Sequence, residues 1–186
     1  SDRDDPNRLP ITDEIRKKYE IVAQGVSAEI ISAKYGITQD QINDFSVRSQ
    51  KRAHAATEAG KFKNEIVPIK YTDSDGKEQL LDRDTHIRGD STVEKINKLP
   101  RPFKEEGLIH AAASSGICDG SSMALWVSGE VAQKYSLKPR ARILSNANWG
   151  VNPREMLDGV IRGTQLALKR AGLKIEQIDR FEINEA

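Results

Sequence analysis

The densest run of small side chains is AAASSGICDGSS, residues 111–122. Small residues turning from a strand into a helix let a ligand approach the backbone closely. Ser114 or Ser115 then has room to donate a hydrogen bond. The same run serves equally well as tight packing between helix and sheet, and the residue types leave both readings open. Within it, Cys118 precedes Asp119 and Gly120 at the expected start of a helix. A helix N-terminus lowers a thiol pKa, but a neighbouring carboxylate opposes the thiolate. Cys118 is therefore expected to be a small buried thiol and not a nucleophile. The last residues, RFEINEA, alternate as a strand does: Phe181 and Ile183 on one face, Glu182 and Asn184 on the other. An amide and a carboxylate delivered side by side mark either a frayed end or the edge of a site.

Other familiar constellations are missing. His54, His86 and His110 lie far apart without metal-ligand spacing, and are expected to be structural or merely exposed. No metal site is expected, and no glycine-rich phosphate motif of the P-loop or dinucleotide kind occurs. A formal net charge of +1 gives no electrostatic case for nucleic acid or a membrane surface. No apolar run approaches a membrane span, and there is no secretory leader pattern at the start. One cysteine excludes an internal disulfide and a multi-cysteine zinc site. The expectation is a soluble, cytoplasmic protein.

The elements that must carry these residues fall into two textures. Residues 1–11 are turn-rich and charged, an opening that is expected to follow further chain. A short helix is predicted from Thr12. A second is predicted in QGVSAEIISAKYG, with Ser27 as N-cap and Gly36 as its stop. Thr38 and Gln41 form a capping box, after which Ile42, Phe45, Ser49, Ala53 and Ala56 recur at helical spacing until Gly60. That stripe of mostly small residues predicts close packing against another helix. EIVPIKY and TDSDGKEQLL read as a hairpin turning at Asp75–Gly76. A short helix is expected from Thr92 to Leu99. From about 108 the order becomes strand, helix, strand, helix, strand. Its helices are predicted at 119–135, opened by Asp119, and at 153–171, with Asn152 at N-cap, Pro153 at N1 and Gly172 at C′. RARILSNANWG and RFEIN are the following strands. This is an α/β layered fold preceded by an inserted, mostly helical subdomain with a hairpin.

YGITQDQINDFSVRSQKRAHAATEAGKFKNEIVPI, IRGDSTVEKINKLPRPFKEEGLIHAAASSGICDGSS and FEINEA, taken in this order, resemble the middle of a thiolase, an acetyl-CoA acetyltransferase or 3-ketoacyl-CoA thiolase. The resemblance implies a partial thiolase-like layered fold. Residues 1–106 resemble the loop subdomain over the coenzyme A site, 107–138 the end of the N-terminal half, and 139–186 the start of the C-terminal half. It further implies that Ser115 hydrogen-bonds the pantetheine of coenzyme A, that Phe103 lines the pantetheine channel, and that Arg88 lies near the nucleotide end. Asn184 matches the asparagine that holds a water in the oxyanion hole. Ala113 stands where the family commonly has Asn, and Gln24 where some members have Met near the acyl chain, so acyl-chain specificity stays open.

The resemblance also implies where the remaining chemistry sits. The family's acylated cysteine would lie upstream of residue 1, and its activating histidine and second cysteine downstream of residue 186. Cys118 matches neither cysteine. The chain is thus expected to be an interior segment of a thiolase of fatty-acid β-oxidation, inert alone. Coenzyme A and acyl-CoA would be substrates, no cofactor would be covalently bound, and the assembly would be a homo-oligomer, dimer or tetramer. A second reading is a split or degenerate thiolase-like subunit, acting as a non-catalytic binding or scaffolding partner.

Overall fold

The computed structural model describes residues 11–185. Two of the expectations above, the loop character of the first ten residues and the last residue of the NEA triplet, lie outside them. The chain divides into two compact units. One holds Ser32–Gly116 with Glu185; the other holds the chain up to Ile31 together with Ile117–Asn184.

The first of these is built on caps that act locally. Helix α3, Gln39–Glu58, starts at Thr38, whose hydroxyl accepts from the Gln41 amide while the Gln41 side chain accepts from the Thr38 amide. The box satisfies two backbone donors that helix geometry leaves over. Gly60 follows the helix at φ +65°, a left-handed conformation that suits glycine. Strands β1 (Ile69–Thr72) and β2 (Glu78–Leu81) pair antiparallel, Ile69 opposite Leu81 and Thr72 opposite Glu78. Between them Gly76 sits at φ +77° and Asp73 accepts from the amides of Asp75 and Lys77. Helix α4, Val93–Asn97, opens on the Thr92 hydroxyl and packs on α3, as does a 3-10 turn at Ala111–Ala113.

The interior of this unit is not what the stripe on α3 predicted. The buried residues of α3 are Asn43, Ser46 and Val47, none of them in the expected stripe of Ile42, Phe45, Ser49, Ala53 and Ala56. Ile96, Ile109 and His110 are buried too and His110 meets Asn43, so an amide and an imidazole share the core with aliphatic side chains. Phe45 remains half exposed.

In the other unit α1 (Asp13–Lys18) is capped by Thr12, and most of α2 (Gln24–Lys34) follows, its last turn and Gly36, at φ +63°, falling within Ser32–Gly116. Ser27 does not cap α2. It lies one turn inside, fully buried, and its hydroxyl donates to the carbonyl of Arg154 at 2.5 Å. Helix α5 spans only Gly129–Lys134 and opens on Ser128; Asp119 opens nothing, and residues 117–127 carry no regular element. The predicted helix over 119–135 is thus confined to its last third. Asn152 and Pro153 start a 3-10 segment, Pro153–Asp158, that leads into α6, Gly159–Ala171, which ends on Gly172 at φ +66°. The expected strands over 140–150 and 180–184 form no ladder among the described residues.

Among the described residues no helix is long and apolar enough to cross a membrane. None of their histidines, cysteines and acidic residues group to hold a metal.

Candidate functional site

Within the Ser32–Gly116 unit, α3 and the stretch following the buried core form a pocket enclosing about 880 Å³. Ile42, Phe45 and Ser49, spaced at i, i+3 and i+7, bring one face of α3 to it. Arg48 stands on the same wall with its guanidinium 5.6 Å from the centre of the Phe45 ring, a cation–π distance. The opposite wall is Ala112 to Gly116, small side chains broken by Ser114 and Ser115. The first half of the stripe read as a helix-packing face, Ile42 to Ser49, is therefore a pocket wall, while Ala53 and Ala56 do not line it. What the periodicity could not tell was whether protein or empty space faced it.

The turn carrying Ser114 and Ser115 is held from behind. The carbonyl of His110 accepts from the amide of Ala113 at 2.9 Å and from the hydroxyl of Ser114 at 3.1 Å. His110 itself is fully buried, its Nε2 2.9 Å from Asn43 Oδ1 on α3. Burial and the nearby Arg101 charge push its pKa below the ordinary imidazole value. A second contact secures the far edge: Gly116 lies so close to His86 that a Cβ there would fall 2.5 Å from the ring.

The four residues singled out from sequence are placed as follows. Ser115 lines the pocket. Arg88 is exposed and does not line it. Its amide donates to Gln50 Oε1 at 2.6 Å, and Gln50 does line it. One guanidinium nitrogen of Arg88 donates to the carbonyls of Thr85 and Ile87 at 2.6 and 3.3 Å. Phe103 is half-buried outside the lining. Asn184 is exposed and belongs to the other unit. Cys118 is exposed and free, against the expectation of a buried thiol. His54 is exposed, as expected, with its ring against the backbone of Gly89, next to Arg88.

Sequence reasoning missed Arg48 and the Asn43–His110 pair. For Arg48 a signal existed, since it adjoins an apolar stripe. For the pair none did: the two residues are 67 positions apart, and residue type predicts both outside a core.

The N-terminal domain of thiolase matches residues 6–130, and the C-terminal domain of thiolase matches residues 137–186. A 3-ketoacyl-CoA thiolase of Marinobacter nauticus is 42% identical over 163 residues, covering 87% of this chain and 42% of the relative. An acetyl-CoA acetyltransferase of Chromobacterium violaceum is 38% identical over 176 residues, 95% of this chain and 45% of the relative. Among solved structures, human mitochondrial 3-ketoacyl-CoA thiolase superposes with TM-score 0.75 at 32% identity, over 87% of this chain and 40% of that one. The Bacillus anthracis acetyl-CoA acetyltransferase gives 0.76 at 30% identity, over 93% and 45%. The chain spans less than half the length of these relatives. Its fold is a partial thiolase-like α/β fold, and the chain belongs to the thiolase family.

Proposed function

We propose that the chain is part of a coenzyme A-dependent acyltransferase that cleaves a 3-ketoacyl-CoA with coenzyme A, or condenses acyl-CoAs in reverse. The observation that carries this reading is Ser115 on the wall of an 880 Å³ pocket that is both apolar and polar, in a chain of the thiolase family. Pantetheine is a slender chain of amides and methylenes. It suits a wall of Ile42 and Phe45 facing backbone and hydroxyl donors. Ser115 donates to a pantetheine amide, Phe103 lines the approach, and Arg88 meets the nucleotide phosphates. One Arg88 nitrogen is occupied by its own loop, which stiffens a guanidinium that carries five donors in all.

Asn184 would fix a water where the thioester oxygen gains charge, a preplaced donor of the kind that stabilises an enolate or tetrahedral oxyanion. The nucleophilic cysteine, its histidine base and the second cysteine come from polypeptide that this chain does not contain. Relatives more than twice its length support that division. On the same reading residues 1–106 are the loop subdomain over coenzyme A, 107–138 end the first half and 139–186 begin the second. The whole enzyme works in the cytoplasm, in fatty-acid β-oxidation, as a dimer or tetramer. A scaffolding role is not favoured, because the relatives it matches are named as enzymes.

The test joins this chain to the portions of a relative that it does not span and follows acetoacetyl-CoA cleavage by coenzyme A. Turnover is expected, with kcat falling on the order of 100-fold in Asn184→Ala and KM little changed. Turnover indifferent to Asn184 removes that residue from the site, and none at all removes the reading.

A further inference from the structure

Behind the Ser114–Ser115 wall lies a closed ring of polar side chains. Arg101 Nη2 is 3.2 Å from Gln39 Oε1 and 3.3 Å from Asn97 Oδ1. Gln39 Nε2 is 3.0 Å from Asn43 Oδ1, and Asn43 Nδ2 is 3.4 Å from Asn97 Oδ1, which closes the ring. Arg101 is also fixed by donations to the carbonyls of Leu99 and Asn97. A guanidinium can only donate. Gln39 must therefore turn its oxygen to Arg101, and its nitrogen to Asn43. Asn97 must likewise present its oxygen, which Asn43 meets with its nitrogen. Both routes round the ring leave Asn43 with the same orientation, Oδ1 towards His110. An oxygen 2.9 Å from Nε2 requires that Nε2 carry the proton.

The other ring nitrogen completes the case. His110 Nδ1 is buried with no hydrogen-bond partner, the one such side-chain atom among the described residues. A second proton there would be a buried donor without an acceptor, facing the positive charge of Arg101. The neighbours that α3 and α4 supply to the ring system, Gln39, Asn43 and Asn97, are neutral amides, so none of the three offsets that charge.

We propose that Arg101, acting through Gln39, Asn43 and Asn97, locks His110 as the neutral Nε2–H imidazole, and that this locked ring is the positioning residue for the Ser114–Ser115 wall of the pocket. The route from ring to wall is short. The His110 carbonyl receives both Ala113 and Ser114, so the place of the imidazole on α3 sets the place of the turn. The positioning half rests on the coenzyme A reading above; the tautomer half does not.

Two measurements separate them. Long-range nitrogen–proton correlation spectra of the 15N-histidine-labelled chain report the tautomer of each histidine with no substitution. His110 is expected to show a pyrrole-like Nε2 and a pyridine-like Nδ1 at neutral pH, and to take a second proton only below the ordinary imidazole value. A proton on Nδ1 at neutral pH, or titration at or above the ordinary imidazole value, overturns the lock. The second measurement is coenzyme A titration of His110→Gln and His110→Asn. A glutamine amide nitrogen replaces Nε2, and an asparagine nitrogen replaces Nδ1. His110→Gln is expected to keep Kd within about twofold and His110→Asn to weaken it about fivefold or more. Equal affinities for the two variants overturn the positioning role. Failure of the unaltered chain to bind coenzyme A defeats the coenzyme A reading and the positioning half with it, while the spectra still decide the lock.

Discussion

From Ser32 to Gly116 the chain finds its partners within itself: α3 is capped at both ends, the hairpin closes on Asp73, and even a buried imidazole is seated on an asparagine. From Ile117 onward the opposite holds. Ile117 and Met123 are fully exposed, Leu125 and Trp126 are 81% and 70% exposed, and no strand ladder forms among the described residues there. A shortage of apolar side chains does not explain the difference, since the second region is the more apolar in its sequence. Reach does. Helices and tight turns satisfy their backbone within a few residues, whereas a sheet needs strands from far along the chain. On the proposed function those strands belong to polypeptide outside this chain.

The largest expected effect follows directly. The chain alone should show no thiolysis of acetoacetyl-CoA above a buffer blank, because on the proposed function the cysteine and histidine constellation is supplied by polypeptide it does not contain. Turnover that vanishes in Cys118→Ser would mean that the exposed thiol is a nucleophile after all, and would break the comparison at its functional end.

Next in size is a contrast in stability. Asn43→Leu strands a buried Nε2–H and a Gln39 donor, and should cost about 1–3 kcal/mol in a denaturant melt. Met123→Ser, in the exposed stretch, should stay within about 0.5 kcal/mol. Equal losses would show that residues 117–127 are packed as firmly as α3.

The capping and turn chemistry was legible because it is local. Thr38 with Gln41, Thr12, Thr92, and Asn152 with Pro153 each act on amides within three positions, and Gly36, Gly60 and Gly172 adopt the left-handed conformation their places demand. Ser27 misled because the helix begins a turn earlier and uses that hydroxyl to reach Arg154. Asp119 misled because a helix N-terminus requires the residues after it to be helical, and here they are not. Of the pocket, the small-residue wall around Ser115 could be read, while the α3 wall was recognised as a stripe but given the wrong neighbour. The polar core escaped entirely, since partners 67 residues apart leave no local trace.

A smaller effect concerns pH. The pKa of His110 is lowered on folding, so between that value and the ordinary one of about 6.5 the unfolded chain binds a proton that the folded chain does not. Stability should be full above about pH 6.5 and decline below it, by at most ~1.4 kcal/mol per pH unit for one proton. His110→Gln should remove that part of the slope in urea melts recorded from pH 7 to 5. An unchanged slope would assign the acid sensitivity to other groups.

Smallest is the loss at single ligand contacts. Ser115→Ala should weaken coenzyme A by about 1 kcal/mol, one neutral hydrogen bond. Arg88→Ala should cost more, because on the proposed function its charged group meets phosphate. Calorimetric titration giving Arg88→Ala the parent's affinity takes Arg88 out of the site.

Amide hydrogen exchange tests the central contrast most directly, on this chain alone and on the chain extended by the missing portions of a relative. The expected result is protection of α3 in both, with residues 117–127 and 141–149 exchanging at unfolded rates alone and becoming protected in the extended protein. Protection of 117–127 in the chain alone would contradict the account, because those residues would then have closed their own core.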